Sequence, residues 1–155
     1  MGRSQWCEMA AIEARKAMAR ALDLAEEAAA TGDEPFGSAL VYGDSVVAEE
    51  RNTVNTDDDR TAHPELKLVR WAGRNLSAEE RRRATMYTST EPCPMCAGGI
   101  YNVGLGRVVY SASAEVLSIV GGGEPGVRCE EVVEQTTVEG PLLPERGRDV
   151  HDGFW

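Results

Sequence analysis

His63-Pro64-Glu65, followed further along the chain by Pro92-Cys93-Pro94-Met95-Cys96, is the stretch that decides how this sequence folds and what it can do. It supplies one imidazole, two thiols at C-x-x-C spacing, and a carboxylate two positions from the imidazole. Three N/S donors leave one position open on a tetrahedral zinc ion, and an open position separates catalytic from structural zinc. Water held there can lose a proton near neutral pH and become a nucleophile. Glu65 then reads as a proton shuttle beside the metal, not as a ligand.

The spacing also constrains the local fold. Cys93 and Cys96 are three residues apart, which puts both thiols on one side of a helix's first turn. Unpaired N–H groups there favour the thiolates that zinc needs. His63 and Glu65, two residues apart on a regular helix, would point about 200° apart. They can share a site only if it lies off the end of the helix, along its axis. Two helix N-termini are therefore expected to converge on one metal.

Outward from these motifs the chain alternates helix and strand. Residues 4–30 read as a helix, with Ala14, Met18, Ala21, Ala25 and Ala28 at steps of three and four, stopped by Gly32 and Pro35. Residues 36–42 and 45–51 read as a hairpin turning at Gly43-Asp44, and residues 52–60 as a polar loop. A second helix is expected from a Thr61 N-cap, with Leu66, Val69 and Ala72 inward and Pro64 tolerated in its first turn. A buried strand, residues 85–89, runs straight into Pro92-Cys93. A helix at 95–103, a strand at 107–112, a short helix at 114–120 and a mobile glycine-rich loop at 121–126 follow. Residues 136–139 read as a strand and 142–155 as a closing helix. Alternation of this kind indicates α/β layering, with an antiparallel hairpin first and parallel additions after it.

Composition narrows the function. A chain of 155 residues fits a single domain, residues 1–155, with a real core. No run approaches the ~18 apolar residues of a membrane span, and no signal-like segment opens the chain, so a cytoplasmic protein without a membrane partner is expected. The net charge is −10, from 26 acidic against 16 basic residues. Such a surface repels phosphate backbones, and the one basic cluster, Arg81-Arg82-Arg83, follows Glu79-Glu80 and is locally offset. The balance favours a small free substrate over nucleic acid.

Other readings stand beside the zinc site. C-x-x-C alone can be a redox pair. A structural zinc site could recruit Cys7 or Cys129, although neither has a close cysteine partner, and both read better as a buried small hydrophobe or spare thiol. His151 reads as a surface or helix-end residue. Phe36, Trp71 and Tyr101 read as core.

Four blocks carry a resemblance: Pro35-Phe36-Gly37-Ser38-Ala39-Leu40-Val41; Thr61-Ala62-His63-Pro64-Glu65; Tyr87-Thr88-Ser89-Thr90-Glu91-Pro92-Cys93-Pro94-Met95-Cys96-Ala97-Gly98; and Gly106-Arg107-Val108-Val109-Tyr110. In this order they resemble the cytidine-deaminase-like superfamily, in the branch of guanine deaminases and tRNA adenosine deaminases. The resemblance implies an α/β fold of three layers, α/β/α, with a central five-stranded mixed sheet. It implies one Zn2+ per chain bound by His63, Cys93 and Cys96, Glu65 as the catalytic acid and base, and a homodimer. Asn52 matches a substrate-contacting asparagine, and the backbone at Ser89, Thr90 and Cys93 would line the reacting positions. Glu115 is the acid nearest to an aspartate that assists catalysis in guanine deaminases, and Phe154-Trp155 matches an aromatic C-terminal lid able to stack on a purine. Pro64 departs from the family's usual alanine and would stiffen the turn.

The expected activity is hydrolytic removal of the exocyclic amine from a small heterocyclic amine, guanine-like first. Deamination of tRNA adenosine or of cytosine or cytidine is the alternative among enzymes. A zinc-stabilised binding module without catalysis is the alternative outside them.

Overall fold

The computed structural model describes residues 2–155, without the side chains of residues 3, 4 and 6. In chain order the elements are α1 (Arg3–Ala30), β1 (Gly37–Tyr42), β2 (Ser45–Arg51), α2 (Pro64–Asn75), α3 (Ala78–Arg83), β3 (Thr85–Thr90), α4 (Pro94–Val103), β4 (Arg107–Ala112), α5 (Ala114–Gly121), α6 (Cys129–Val132), β5 (Thr137–Glu139) and α7 (Pro144–Asp149). The strands form one mixed sheet in the order β2-β1-β3-β4-β5. β1 is antiparallel to both β2 and β3, whereas β3-β4 and β4-β5 are parallel.

Alternation along the central strands builds the three layers. Leu40, Met86 and Val108 point to one face, where they pack with Leu68, Val69 and Ala72 of α2 and Ala97 and Ile100 of α4. Tyr87 and Val109 point to the other, against Ala17, Met18, Ala21 and Leu22 of α1, with Leu142, Leu143 and Val150 beside them. Successive side chains on a strand face opposite sides, so one register supplies both cores. The approach of α1 to the sheet is close: a Cβ on Gly37 would collide with the Ala21 carbonyl oxygen and the Ala25 backbone nitrogen.

The three-layer fold is the one expected, with local corrections. The second helix is not capped by Thr61. Its N-cap is His63, in extended backbone (φ −82, ψ 142), with Pro64 at the first helical position. A proline ring crowds the residue before it out of the helical region, so Pro64 itself sets this boundary. Leu66 is only half-buried while Leu68 is fully buried. The charge cluster at residues 79–83 is part of a helix, α3, not expected from the sequence, and its Ser77 and Glu80 form a capping box. Arg81 in that cluster donates to the carbonyls of Leu76 and Val103, which makes it a structural residue. Tyr101 is exposed on α4, not core. The closing helix covers only Pro144–Asp149, and turns follow it. No helix among the described residues is long and apolar enough to cross a membrane.

Candidate metal centre and substrate pocket

β2, β3 and β4 all run in one direction, so Asn52, Glu91 to Cys93, and the start of α5 leave the sheet at the same edge. Crevices at the carboxyl ends of strands are where open α/β sheets place ligands. Here two helix N-termini meet. Cys93 is the N-cap of α4 (φ −67, ψ 167) and is followed by Pro94 at its first position, as His63 is followed by Pro64. Each donor thus stands just outside a helix, in the extended backbone that a following proline imposes. That placement resolves the 200° problem: His63 is not on the helical surface that carries Glu65.

The His63 Nδ1 lies 3.5 Å from Cys93 Sγ and 3.6 Å from Cys96 Sγ. All three donor atoms fall within 4.8 Å of one another. Tetrahedral zinc with ordinary Zn–S and Zn–N bonds separates sulfur from nitrogen by about 3.6 Å. The three residues therefore fit one zinc ion. Neither Cys7, which is exposed, nor the buried Cys129 joins the group.

Glu65, on the first turn of α2, is buried to 5% exposure. Burial first, and then the negative charge of Cys93, pushes its carboxyl up to about 7. The Cys93 thiol is pushed down to about 4, chiefly by hydrogen bonding from Cys96 and with His63 contributing, although burial opposes it. The same bond and burial push Cys96 up. Hydrogen bonding to Cys93 raises His63 against the effect of burial.

Asn52 is fully buried. Its Oδ1 accepts the Val54 N–H at 2.9 Å, while its Nδ2 has no hydrogen-bond partner. A buried amide donor left open is costly unless a ligand satisfies it. Ser89 and Thr90 are buried at the end of β3, with hydroxyls already engaged: Ser89 Oγ accepts the Gly37 N–H at 3.0 Å, and Thr90 Oγ1 lies 2.7 Å from His151 Nε2. Glu115 stands in the first turn of α5, largely exposed, and accepts from Arg128 Nη1 at 3.0 Å. Phe154 and Trp155 meet edge to face at 4.9 Å.

Beside Cys93 and Pro94 opens a cavity of about 290 Å³, walled by Leu117 and Ser118 of α5, the loop through Pro125, and Trp155. Trp155 thus shares this cavity with one of the three donors, Cys93. Asn52, Glu65 and His63 do not line this cavity, and Glu115 is turned to Arg128.

A family model described as the cytidine and deoxycytidylate deaminase zinc-binding region matches residues 11–112. The chain belongs to this deaminase family. Its sequence is 42% identical over 94 residues to the guanine deaminase of Bacillus subtilis, covering 60% of each chain. It is 37% identical over 93 residues to the tRNA-specific adenosine deaminase of Buchnera aphidicola, covering 60% of this chain and 62% of the other. The matched stretch therefore spans only about three fifths of these relatives. The structure resembles the solved guanine deaminase of Nitrosomonas europaea, with a TM-score of 0.75, 23% identity, and 88% and 81% of the two chains covered. That likeness shows the fold.

Within this deaminase fold, three groups escaped sequence reasoning. His151 does follow a helix end, but it is buried, not superficial. Asp33, buried after α1, accepts from the backbone of Asn55 and Thr56 and from the Thr56 hydroxyl, which ties the loop after Asn52 to α1. Glu91, one step before Pro92-Cys93, accepts a two-pronged Arg128 contact at 2.8 and 2.7 Å and the N–H groups of Ala114 and Cys129. Burial pushes Glu91 up, but these donors outweigh it and hold it below the usual carboxylate range. Each is a polar side chain whose partners lie on remote segments. Only the adjacency of Glu91 to the cysteine motif gave a signal.

Proposed function

We propose that this chain is a single-domain, zinc-dependent hydrolytic deaminase of a small free heterocyclic amine, with guanine as the leading substrate. One observation carries the catalytic reading: a buried carboxyl, Glu65, stands beside a His63/Cys93/Cys96 donor set, raised by burial to about 7. A purely structural zinc site has no use for such a group. Zinc held by His63, Cys93 and Cys96 would supply a water acidified enough to attack a ring carbon near neutral pH.

The chain's own residues do the rest. Glu65 accepts a proton from the attacking water and passes it to the adjacent ring nitrogen. A C–O bond forms at the carbon that bore the amine. The second water proton then goes through Glu65 to the leaving amine, the C–N bond breaks, and ammonia departs. The open Nδ2 of Asn52 donates to an acceptor on the ring, which favours a heterocycle with a carbonyl or bare ring nitrogen. Burial around Glu65 keeps bulk water from competing for its proton.

Support for a small planar substrate comes from the apolar cavity that opens on Cys93, with the Trp155 indole as one wall; a ring reached by Glu65 and Asn52, which lie outside this cavity, would extend into it past Cys93. The net charge of −10, and the commitment of Arg81 to backbone carbonyls, leave little for a phosphate backbone to bind. Cytoplasmic location and a homodimer belong to the same proposal. The test is ammonia release by the zinc-loaded protein from guanine, guanosine, adenine, adenosine, cytosine, cytidine, amino-triazines and a tRNA anticodon stem-loop. Preferred turnover of guanine supports the proposal. Turnover confined to the stem-loop or to cytosine and cytidine would replace its substrate, and silence across the panel with zinc bound would reject it.

A further inference from the structure

His151 is 1% exposed and has no part in the proton transfers above. It is wedged between two rings: Phe36 meets it edge on at 5.3 Å, and Trp155 lies nearly parallel at 6.3 Å. Both its nitrogens are used. Nε2 lies 2.7 Å from the Thr90 hydroxyl, and Nδ1 lies 3.1 Å from the Trp155 indole Nε1.

The chemistry of the partners fixes the proton. An indole N–H can only donate, so Nδ1 must be an acceptor. The neutral ring then carries its hydrogen on Nε2 and donates it to Thr90 Oγ1. Burial lowers His151 to about 4, which keeps the ring neutral through the physiological range. Its mounting is rigid as well. Arg146 of α7 donates to the Ala19 carbonyl of α1, and Gly147 lies so close to β4 that a Cβ there would strike the Ser111 side chain and the Ala112 backbone nitrogen. A stiff support therefore holds the imidazole, the imidazole holds the indole, and the indole is a wall of the cavity beside Cys93.

We propose that His151 is a positioning residue: through its Nε2–H tautomer it ties Trp155 to Thr90 at the end of β3 and so sets the plane of the aromatic wall against which a flat heterocycle packs. Burial alone accounts for both nitrogens being paired; what points to positioning is that one partner is the indole that walls the cavity. The ring-binding consequence rests on the deaminase reading. The hydrogen-bonded chain Thr90–His151–Trp155 does not.

The test separates the two nitrogens. An Asn side chain puts its polar atom where Nδ1 stands, and Gln reaches the place of Nε2. Nitrogen-15 NMR of the zinc-loaded protein should show His151 as the Nε2–H tautomer and a Trp155 indole N–H protected from solvent exchange, identified by its loss in Trp155→Phe. Protection should persist in His151→Asn and be lost in His151→Gln. For guanine, His151→Gln should raise KM by about threefold to tenfold, the range set by aromatic packing, with kcat changing less than KM. Should His151→Gln fail to fold, Thr90→Val supplies the second variant: it should let the His151 Nε2–H exchange faster and displace the Trp155 indole resonance. The Nδ1–H tautomer, a freely exchanging Trp155 indole in the unaltered protein, or a kcat loss exceeding the KM rise would each overturn the proposal. An enzyme inactive on every amine, yet showing the protected indole and the Nε2–H tautomer, would refute the deaminase reading and leave this one standing.

Discussion

His63 and Cys93 occupy the same position of two different helices. Each is an N-cap in extended backbone, each precedes a proline at the first helical position, and His63 Nδ1 lies 3.5 Å from Cys93 Sγ across 30 residues of sequence. The two prolines hold the two donors outside their helices, and the helix dipoles converge between them.

Zinc content follows from that pairing. The purified protein should hold one zinc per chain by elemental analysis. Cys96→Ser or His63→Ala should lower this well below one, because a third donor is lost. Acidification should release the metal as the thiolates and imidazole take up protons.

Pro64→Ala should leave the fold intact and cost about 0.5–1 kcal/mol of stability in chemical denaturation, since the unfolded chain gains freedom at residues 63 and 64. Zinc should also bind more weakly, because His63 is no longer held in extended backbone. Unchanged zinc affinity would show that the packing of α2 alone holds the imidazole.

Asn52→Ala removes the one buried side-chain nitrogen without a partner among the described residues. The variant should lower kcat/KM by about 10- to 100-fold, as expected for a lost buried hydrogen bond to substrate. Stability should fall by only about 1 kcal/mol, from the stranded Val54 N–H. An equal loss of activity and folding would assign Asn52 to structure alone.

Acid stability has a sign that can be worked out. His151 is lowered from 6.5 to about 4 by burial, which Asp152 only partly offsets. Below pH 6.5 the unfolded chain binds a proton that the folded chain refuses, so stability falls as pH drops from 6.5 to 4, by at most about 3 kcal/mol. Asp33 is also lowered: its burial acts upward, but hydrogen bonds from Thr56 and Asn55 prevail. Its contribution is present above pH 3.8 and disappears as pH falls through its folded value. Urea titrations should therefore show a slope between pH 6.5 and 4 that flattens in His151→Gln and persists in Asp33→Asn.

The layers and the donor set could be read from the sequence because both are short-range patterns. Ala- and Met-rich steps marked α1, a two-residue turn marked the hairpin, and His63, Glu65, Cys93 and Cys96 sat in compact motifs. Helix α3 was equally legible, since Ser77 and Glu80 have capping-box spacing, but a charge run of this kind also suits a solvated face without a helix. The start of α2 was misplaced because Thr61 is a good cap in isolation, whereas Pro64 dictates the boundary from the other side. His151, Asp33 and Arg128 could not be read, because each acts through partners that only the tertiary fold supplies. Tyr101 shows the converse: its helical spacing suited a core position, and the fold left it exposed.

The central claim is that Glu65 moves the protons. The measurement that tests it most directly is kcat for the best substrate in Glu65→Ala and Glu65→Gln, with zinc counted in the same samples. The account predicts one zinc per chain in both variants and kcat lowered by about 10²- to 10⁴-fold, the span of general acid–base catalysis. Full zinc with kcat within about twofold of the unaltered protein would contradict it, since a general acid–base residue contributes far more than that.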